Sequence, residues 1–265
     1  MTNQYNFNLP HLPKRSEKPR KEGITMVMDK GISLRQAEDF VEVSSGFVDF
    51  VKLGFGTSII TKNLQEKVKL YQKAGMKVFV GGTLFEAFVV RDMFDDYRKY
   101  ISSLGLDAAE VSDGSVELSH EKKCEYISTL SKEYTVVSEV GSKEEGVIIH
   151  PARWINMMQS ELEPGAFKVI AEARESGNVG IFHKNGSAHT MLINRIVSKV
   201  KLENIIWETP QKSQQVYFLK LFGCDVNLGN IAVDDVIPLE TLRLGLRGDT
   251  FFTFLPEALK QPLNS

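Results

Sequence analysis

Short apolar runs recur along the chain, and between each and the next lies a stretch whose apolar residues repeat at helical spacing. The runs are Ile24–Met28, Phe47–Leu53, Lys77–Val80, Ala108–Val111, Thr135–Val140, Phe167–Ala171, Asn204–Trp207 and Asp225–Leu228. They are short, β-rich and closed by charged or Gly-rich residues, which predicts strands. Between them, Leu34, Ala37, Phe40 and Val41 form one helical stripe that starts after Ser33 as N-cap. Leu64, Val68 and Tyr71 form the next, ended by Gly75. Phe88, Phe94 and Tyr97 mark one long third helix, and Cys124, Ile127 and Leu130 a fourth. Val147–Leu162, with Pro151 inside it, reads as a fifth, and Val216, Leu219 and Phe222 mark the helix ending at Gly223. Eight strands alternating with helices predict an α/β chain closed into a single (β/α)8 TIM barrel, whose active-site face is formed by the C-terminal strand ends.

The boundaries follow from composition. Residues 1–22 carry Pro10, Pro13 and Pro19 among Lys14, Arg15, Lys18, Arg20 and Lys21, which reads as an extended basic arm, solvated or strapped across the barrel floor. The barrel takes residues 23–255, and 256–265 form a C-terminal tail. The 265 residues suit one such domain. A formal net charge of −2 gives no bulk attraction to nucleic acid or to an anionic membrane. No apolar run approaches the roughly 18 residues of a membrane span. Cys124 and Cys224 lie far apart, as reduced thiols of a cytoplasmic protein do. A homo-oligomer is left open.

Candidate chemistry gathers at the strand ends: Asp29, Lys30, Lys52, Glu110, Asp113, Glu139, Lys143, Glu172, Arg174 and Glu208. Acids and bases converging on one mouth repel their own kind or need partners unless they hold a cation and an anion, as in a Mg²⁺ site with an oxyanion substrate. Asp113, Glu139, Glu172 and Glu208 lie at the ends of four successive strands and are the expected metal ligands. Glu110 has the facing of Ser112, opposite to Asp113. The histidines lack ligand spacing, which argues against zinc. Gly54-Phe55-Gly56-Thr57-Ser58 and Gly81-Gly82-Thr83 offer backbone N–H groups to a ligand, yet neither completes a dinucleotide motif. By the usual barrel pattern phosphate sits after the last two strands, here on Lys212 and Ser213 and on the backbone of Gly229 and Asn230. Lys30, Lys52 and Arg174 are then expected to face the substrate's other anionic groups. Arg247-Gly248-Asp249 follows the last helix and is placed near the opposite face.

Met28-Asp29-Lys30-Gly31, Asp49 through Ser58, Gly81 through Glu86, Glu110 through Ser115, Glu139-Val140-Gly141, Glu172 through Gly177, Glu208 through Gln215, Asn227 through Ala232 and Leu239 through Thr250 together resemble the successive signatures of phosphosulfolactate synthases. The likeness covers about residues 23–250 in order. It implies a Mg²⁺-dependent barrel lyase that adds sulfite to phosphoenolpyruvate, giving (2R)-phospho-3-sulfolactate, the first step of a coenzyme M route. It also implies Lys143 as the acid that protonates C2, with Lys52 second. The stretch Ser142–Gly146 is shorter than the family pattern, and the arm is an addition to it. Plant heat-stress-associated proteins resemble the same family. Two other readings therefore stand beside the lyase: another barrel lyase or aldolase acting on a phosphorylated enol or keto acid, and a non-catalytic stress-related homologue.

Overall fold

The computed structural model describes residues 5–141, 150–174 and 176–260. Eight parallel strands run β1 (Thr25–Asp29), β2 (Phe50–Leu53), β3 (Lys77–Val80), β4 (Ala108–Val111), β5 (Thr135–Val140), β6 (Ala166–Ala171), β7 (Ile205–Glu208) and β8 (Leu228–Ala232). They pair in the order β3-β2-β1-β8-β7-β6-β5-β4, and β3 lies beside β4, so the sheet is a nearly closed barrel. Helices α1 (Leu34–Ser44), α2 (Leu64–Lys73), α3 (Gly82–Val89), α4 (Phe94–Ser103), α5 (His120–Leu130), α6 (Pro151–Leu162), α7 (Thr190–Val197), α8 (Lys212–Phe222) and α9 (Val236–Arg243) alternate with them. Among the described residues no helix is long and apolar enough to cross a membrane.

Local chemistry explains the helix ends. Ser33 accepts from the Gln36 amide while the Gln36 side chain returns to the Ser33 amide, a closed capping box. Gly75, at φ 76°, takes the left-handed position after α2. Pro151 occupies the first turn of α6, where its missing N–H costs nothing, and His150 caps it by accepting from the Ala152 amide. The expected long third helix is two helices, α3 and α4, parted at Arg91-Asp92-Met93, where Asp92 is left-handed at φ 57°. Apolar periodicity runs through the break because both helices pack on the same side of the barrel.

The strands alternate between two cores. Outward residues such as Val27, Val51, Val78, Ala109, Val136, Val169 and Trp207 meet the helices. Inward, Ile24, Met26, Phe50, Phe79, Ala108, Val137, Ile170 and Ile206 fill the barrel with a separate apolar cluster. Strand β8 starts three residues later than its expected run, at Leu228. Gly229 and Asn230 read as a turn but lie within the strand, and a Cβ on Gly229 would meet Met26 at 2.5 Å and Ile206 at 3.0 Å. The floor is crossed by the N-terminal segment. Arg15 bonds Asp225 and, at 2.9 Å, Glu240, while Arg20 reaches Asp49 at 3.2 Å and Lys18 donates to the Val48 carbonyl at 2.6 Å.

Candidate active site

One pleat above the apolar layer, the inward positions become polar. Two residues beyond Phe50, Ala108, Val137, Ile170 and Ile206 stand Lys52, Glu110, Glu139, Glu172 and Glu208. All five are buried. The Lys52 ammonium lies 3.0 Å from Glu110 Oε1, 3.3 Å from Glu139 Oε2 and 3.4 Å from Glu208 Oε1. Burial alone would lower the Lys52 pKa. Glu110, Glu208, Glu139 and Glu172 outweigh it and hold the ammonium well above the usual lysine value. Glu139, Glu172 and Glu208 each offer one carboxylate oxygen, all within 4.8 Å of one another. Backbone groups aim two of them: the Ala173 amide donates to Glu208 Oε2 at 3.0 Å, and the Arg174 amide to Glu172 Oε1 at 2.5 Å. Three carboxylates and no nitrogen or sulfur donor form the set a hard divalent cation such as Mg²⁺ prefers.

Above this layer opens a cavity of about 370 Å³, lined by Lys52, Glu139, Glu172, Glu208, Arg174, Asn230 and the Gly81–Thr83 start of α3, among others. That volume suits a small metabolite. Asn230 is left-handed at φ 54° and buried. Gly81 and Gly82 are small for a local reason: a Cβ on Gly82 would strike Glu110 and Ser112, and one on Gly81 would press on Lys52.

The expected residues divide accordingly. Lys52, Arg174, Asn230, Glu139, Glu172 and Glu208 meet at the cavity. Asp113 and Glu110 do face opposite ways, but Glu110 is the inward one. Asp113 points outward and accepts from Lys123 of α5 at 2.8 Å. Lys30 is exposed beyond β1, and Gly229 packs inside the barrel below the mouth. Lys212 is on the surface, paired with Asp249 at 2.6 Å, so Arg247-Gly248-Asp249 lies toward the start of α8 rather than at the opposite face. Ser213 lines a separate groove with Asn185, Gly186 and Tyr217. Lys143 falls outside the described residues. Glu86 completes the loop after β4: its carboxylate accepts from Ser112 Oγ and from the Gly114 and Ser115 amides at 3.1 Å.

The sequence model of the (2R)-phospho-3-sulfolactate synthase family matches residues 13–249. The chain belongs to the phosphosulfolactate synthase family. It is 43% identical over 244 residues to the phosphosulfolactate synthase of Methanothermobacter thermautotrophicus, covering 90% of this chain and 95% of that one. To the Bacillus subtilis phosphosulfolactate synthase it is 39% identical, over 91% and 97% of the two chains, and to that of Methanocaldococcus jannaschii 41% identical, over 87% and 94%. As a phosphosulfolactate synthase family member the chain is a lyase-type enzyme, and the family match reaches back into the basic segment from residue 13. The fold resembles solved barrels of other activities. One is the YdjI aldolase of Escherichia coli K12, with a TM-score of 0.54 at 11% identity over 81% of this chain and 76% of that one. Another is 3-hexulose-6-phosphate synthase from Salmonella typhimurium, with a TM-score of 0.50 at 15% identity over 83% and 99%.

Proposed function

We propose that this chain is a Mg²⁺-dependent phosphosulfolactate synthase that adds sulfite to phosphoenolpyruvate, giving (2R)-phospho-3-sulfolactate. The observation that carries the reading is the pairing of an all-oxygen carboxylate triad with cationic groups in one small cavity. Phosphoenolpyruvate is a poor electrophile because phosphate and carboxylate charge repel the incoming sulfite. Addition at its methylene carbon drives further negative charge into the carboxylate. Mg²⁺ held by Glu139, Glu172 and Glu208 would stabilise that charge as it develops.

The chain's own residues supply the rest. Lys52 stands among the triad oxygens and can turn toward the substrate carboxylate without leaving the cavity wall. Arg174 and the amides at the start of α3, where the helix presents its positive end, suit the phosphate or sulfonate. Positioning three anionic groups together is itself a large part of the catalysis. Lys143 is the proposed acid at C2: it lies four residues after Glu139 in the sequence, and the resemblance to the family implies that role. Lys52, its ammonium stabilised by four acids, is suited to holding charge rather than to giving up a proton. The reading also places the reaction in a coenzyme M route and in the cytoplasm.

Incubation with phosphoenolpyruvate, sulfite and Mg²⁺, followed by phosphorus NMR, should show a new phosphorylated sulfonate. EDTA should abolish the signal and Mg²⁺ restore it. Full activity after exhaustive chelation rules out the metal, and no product under any condition rules out the reaction.

A further inference from the structure

Behind the carboxylate layer, on the outer side of β5, lies a second set of buried charges that the chemistry above does not use. Lys123 of α5 and Glu161 of α6 are fully buried and 3.0 Å apart. The Lys123 ammonium also donates to Asp113 at 2.8 Å and to the main-chain carbonyl of Glu139 at 2.6 Å. The other oxygen of Glu161 accepts from Ser138 Oγ at 2.6 Å. One ion pair thus holds two consecutive residues of β5, Ser138 by its side chain and Glu139 by its backbone.

The strand register explains why the hold falls there. Strand β4 ends at Val111, opposite Ser138, so Glu139 and Val140 run on past their neighbour. On the β6 side the ladder continues, with the Glu172 amide donating to the Val140 carbonyl. Lys123 takes the Glu139 carbonyl where β4 no longer can. Ser138 faces outward and Glu139 inward, so a fixture on the outer face sets the angle of the carboxylate on the inner one. Stability alone is a weak reason for such a pair, because an apolar pair of like size packs as well without the desolvation cost.

We propose that Lys123, braced by Glu161 and Asp113, is a positioning residue that fixes the Glu139 carboxylate in the cation site. Affinity for a divalent cation then depends on a lysine that touches neither cation nor substrate. The proposal rests on the metal reading above and assigns Asp113 a role one step removed from the ligand role its position in the sequence suggests.

The test is direct binding of Mn²⁺, as a spectroscopic stand-in for Mg²⁺, to the full chain by electron paramagnetic resonance. Lys123→Met with Glu161→Gln removes the charge of both fully buried partners together, so that only the partly exposed Asp113 loses its cation. The Mn²⁺ Kd should weaken by about 10- to 100-fold, the usual cost of losing an outer partner of a ligand. Activity should return to within a few-fold of wild type at saturating metal, a shift in metal requirement rather than in kcat. An unchanged Kd in the folded variant overturns the proposal, even where melting temperature falls, since that pattern is purely structural. Should the double variant not fold, Lys123→Met alone, in which the buried Glu161 can take up a proton and keep its bond to Ser138, decides by the same reading. A wild-type chain that binds no Mn²⁺ overturns the metal site itself, whereas tight binding by wild type and variants alike overturns only the role of Lys123.

Discussion

Replacing Lys52 by Met tests the charged layer most directly. The Lys52 ammonium touches three buried carboxylates at 3.0, 3.3 and 3.4 Å. At an effective dielectric of about 20, each contact is worth about 5 kcal/mol before desolvation. Most of that gross attraction is offset by the cost of burying the lysine and by repulsion among the acids. What remains is the penalty of leaving buried acids without their cation, about 3–5 kcal/mol where one partner of a buried pair is removed. For a chain of this size that is a fall of about 6–20 °C in melting temperature. Methionine fills nearly the same volume, so cavity formation adds little. The assay is thermal unfolding in EDTA and then across a Mg²⁺ series. A bound divalent cation takes over the neutralising role, so Mg²⁺ should raise the variant's melting temperature more than the wild type's. Ligand at about 100 times its Kd stabilises by about 2.7 kcal/mol, enough to see. A variant that melts within about 2 °C of wild type in EDTA would refute the reasoning, because the acids would then not form a charged cluster held by Lys52.

Three further outcomes are expected. Lys143→Ala should lose about 10²- to 10⁴-fold in kcat, the range for a placed general acid, with melting temperature and substrate binding nearly unchanged; a loss of only a few-fold would move the role to another donor. Lys212→Ala should leave the KM for phosphoenolpyruvate within a few-fold of wild type, because the lysine is half exposed and paired with Asp249; a large rise would return it to the phosphate site. Gly180→Ala should weaken Mg²⁺ binding as well as stability, since a Cβ there would overlap the Glu172 carbonyl and φ is 63°; unchanged metal affinity would show that the backbone of Glu172 yields without moving its carboxylate.

The barrel was legible because its evidence is periodic and redundant. Strands β3, β4 and β5 coincide with their apolar runs, since each is bounded by Gly, Asp or Ser and both faces are buried. Where a local signal has two meanings, the reading slipped. Gly229-Asn230 has turn chemistry, yet the glycine is there so that Met26 and Ile206 can approach the strand, and the asparagine bends left-handed within it. The break between α3 and α4 has no Gly or Pro to announce it; it rests on Asp92 adopting a positive φ.

The site was legible as a set of residue types at strand ends, and less so as a geometry. Strand alternation separates Glu110 from Asp113 but does not say which of them faces inward. The register of the apolar layer does. Ala108 belongs to the barrel interior with Phe50, Val137, Ile170 and Ile206, and each is followed two positions later by a charged residue. Counted from those inward residues, the spacing selects Lys52, Glu110, Glu139, Glu172 and Glu208 together; Asp113 follows Val111 by the same spacing, but Val111 belongs to the outer core. Lys212 satisfied a general rule about phosphate in barrels, but that rule describes loops, and the charge of this lysine is met by Asp249, far along the chain. The inward layer obeys a stricter constraint: four acids and one base lie buried within a single pleat of the nearly closed sheet, and such an excess of carboxylates is relieved by proton uptake or by a bound cation. A triad of oxygen donors in that setting could hold a metal, a conclusion that needs no relative of the chain.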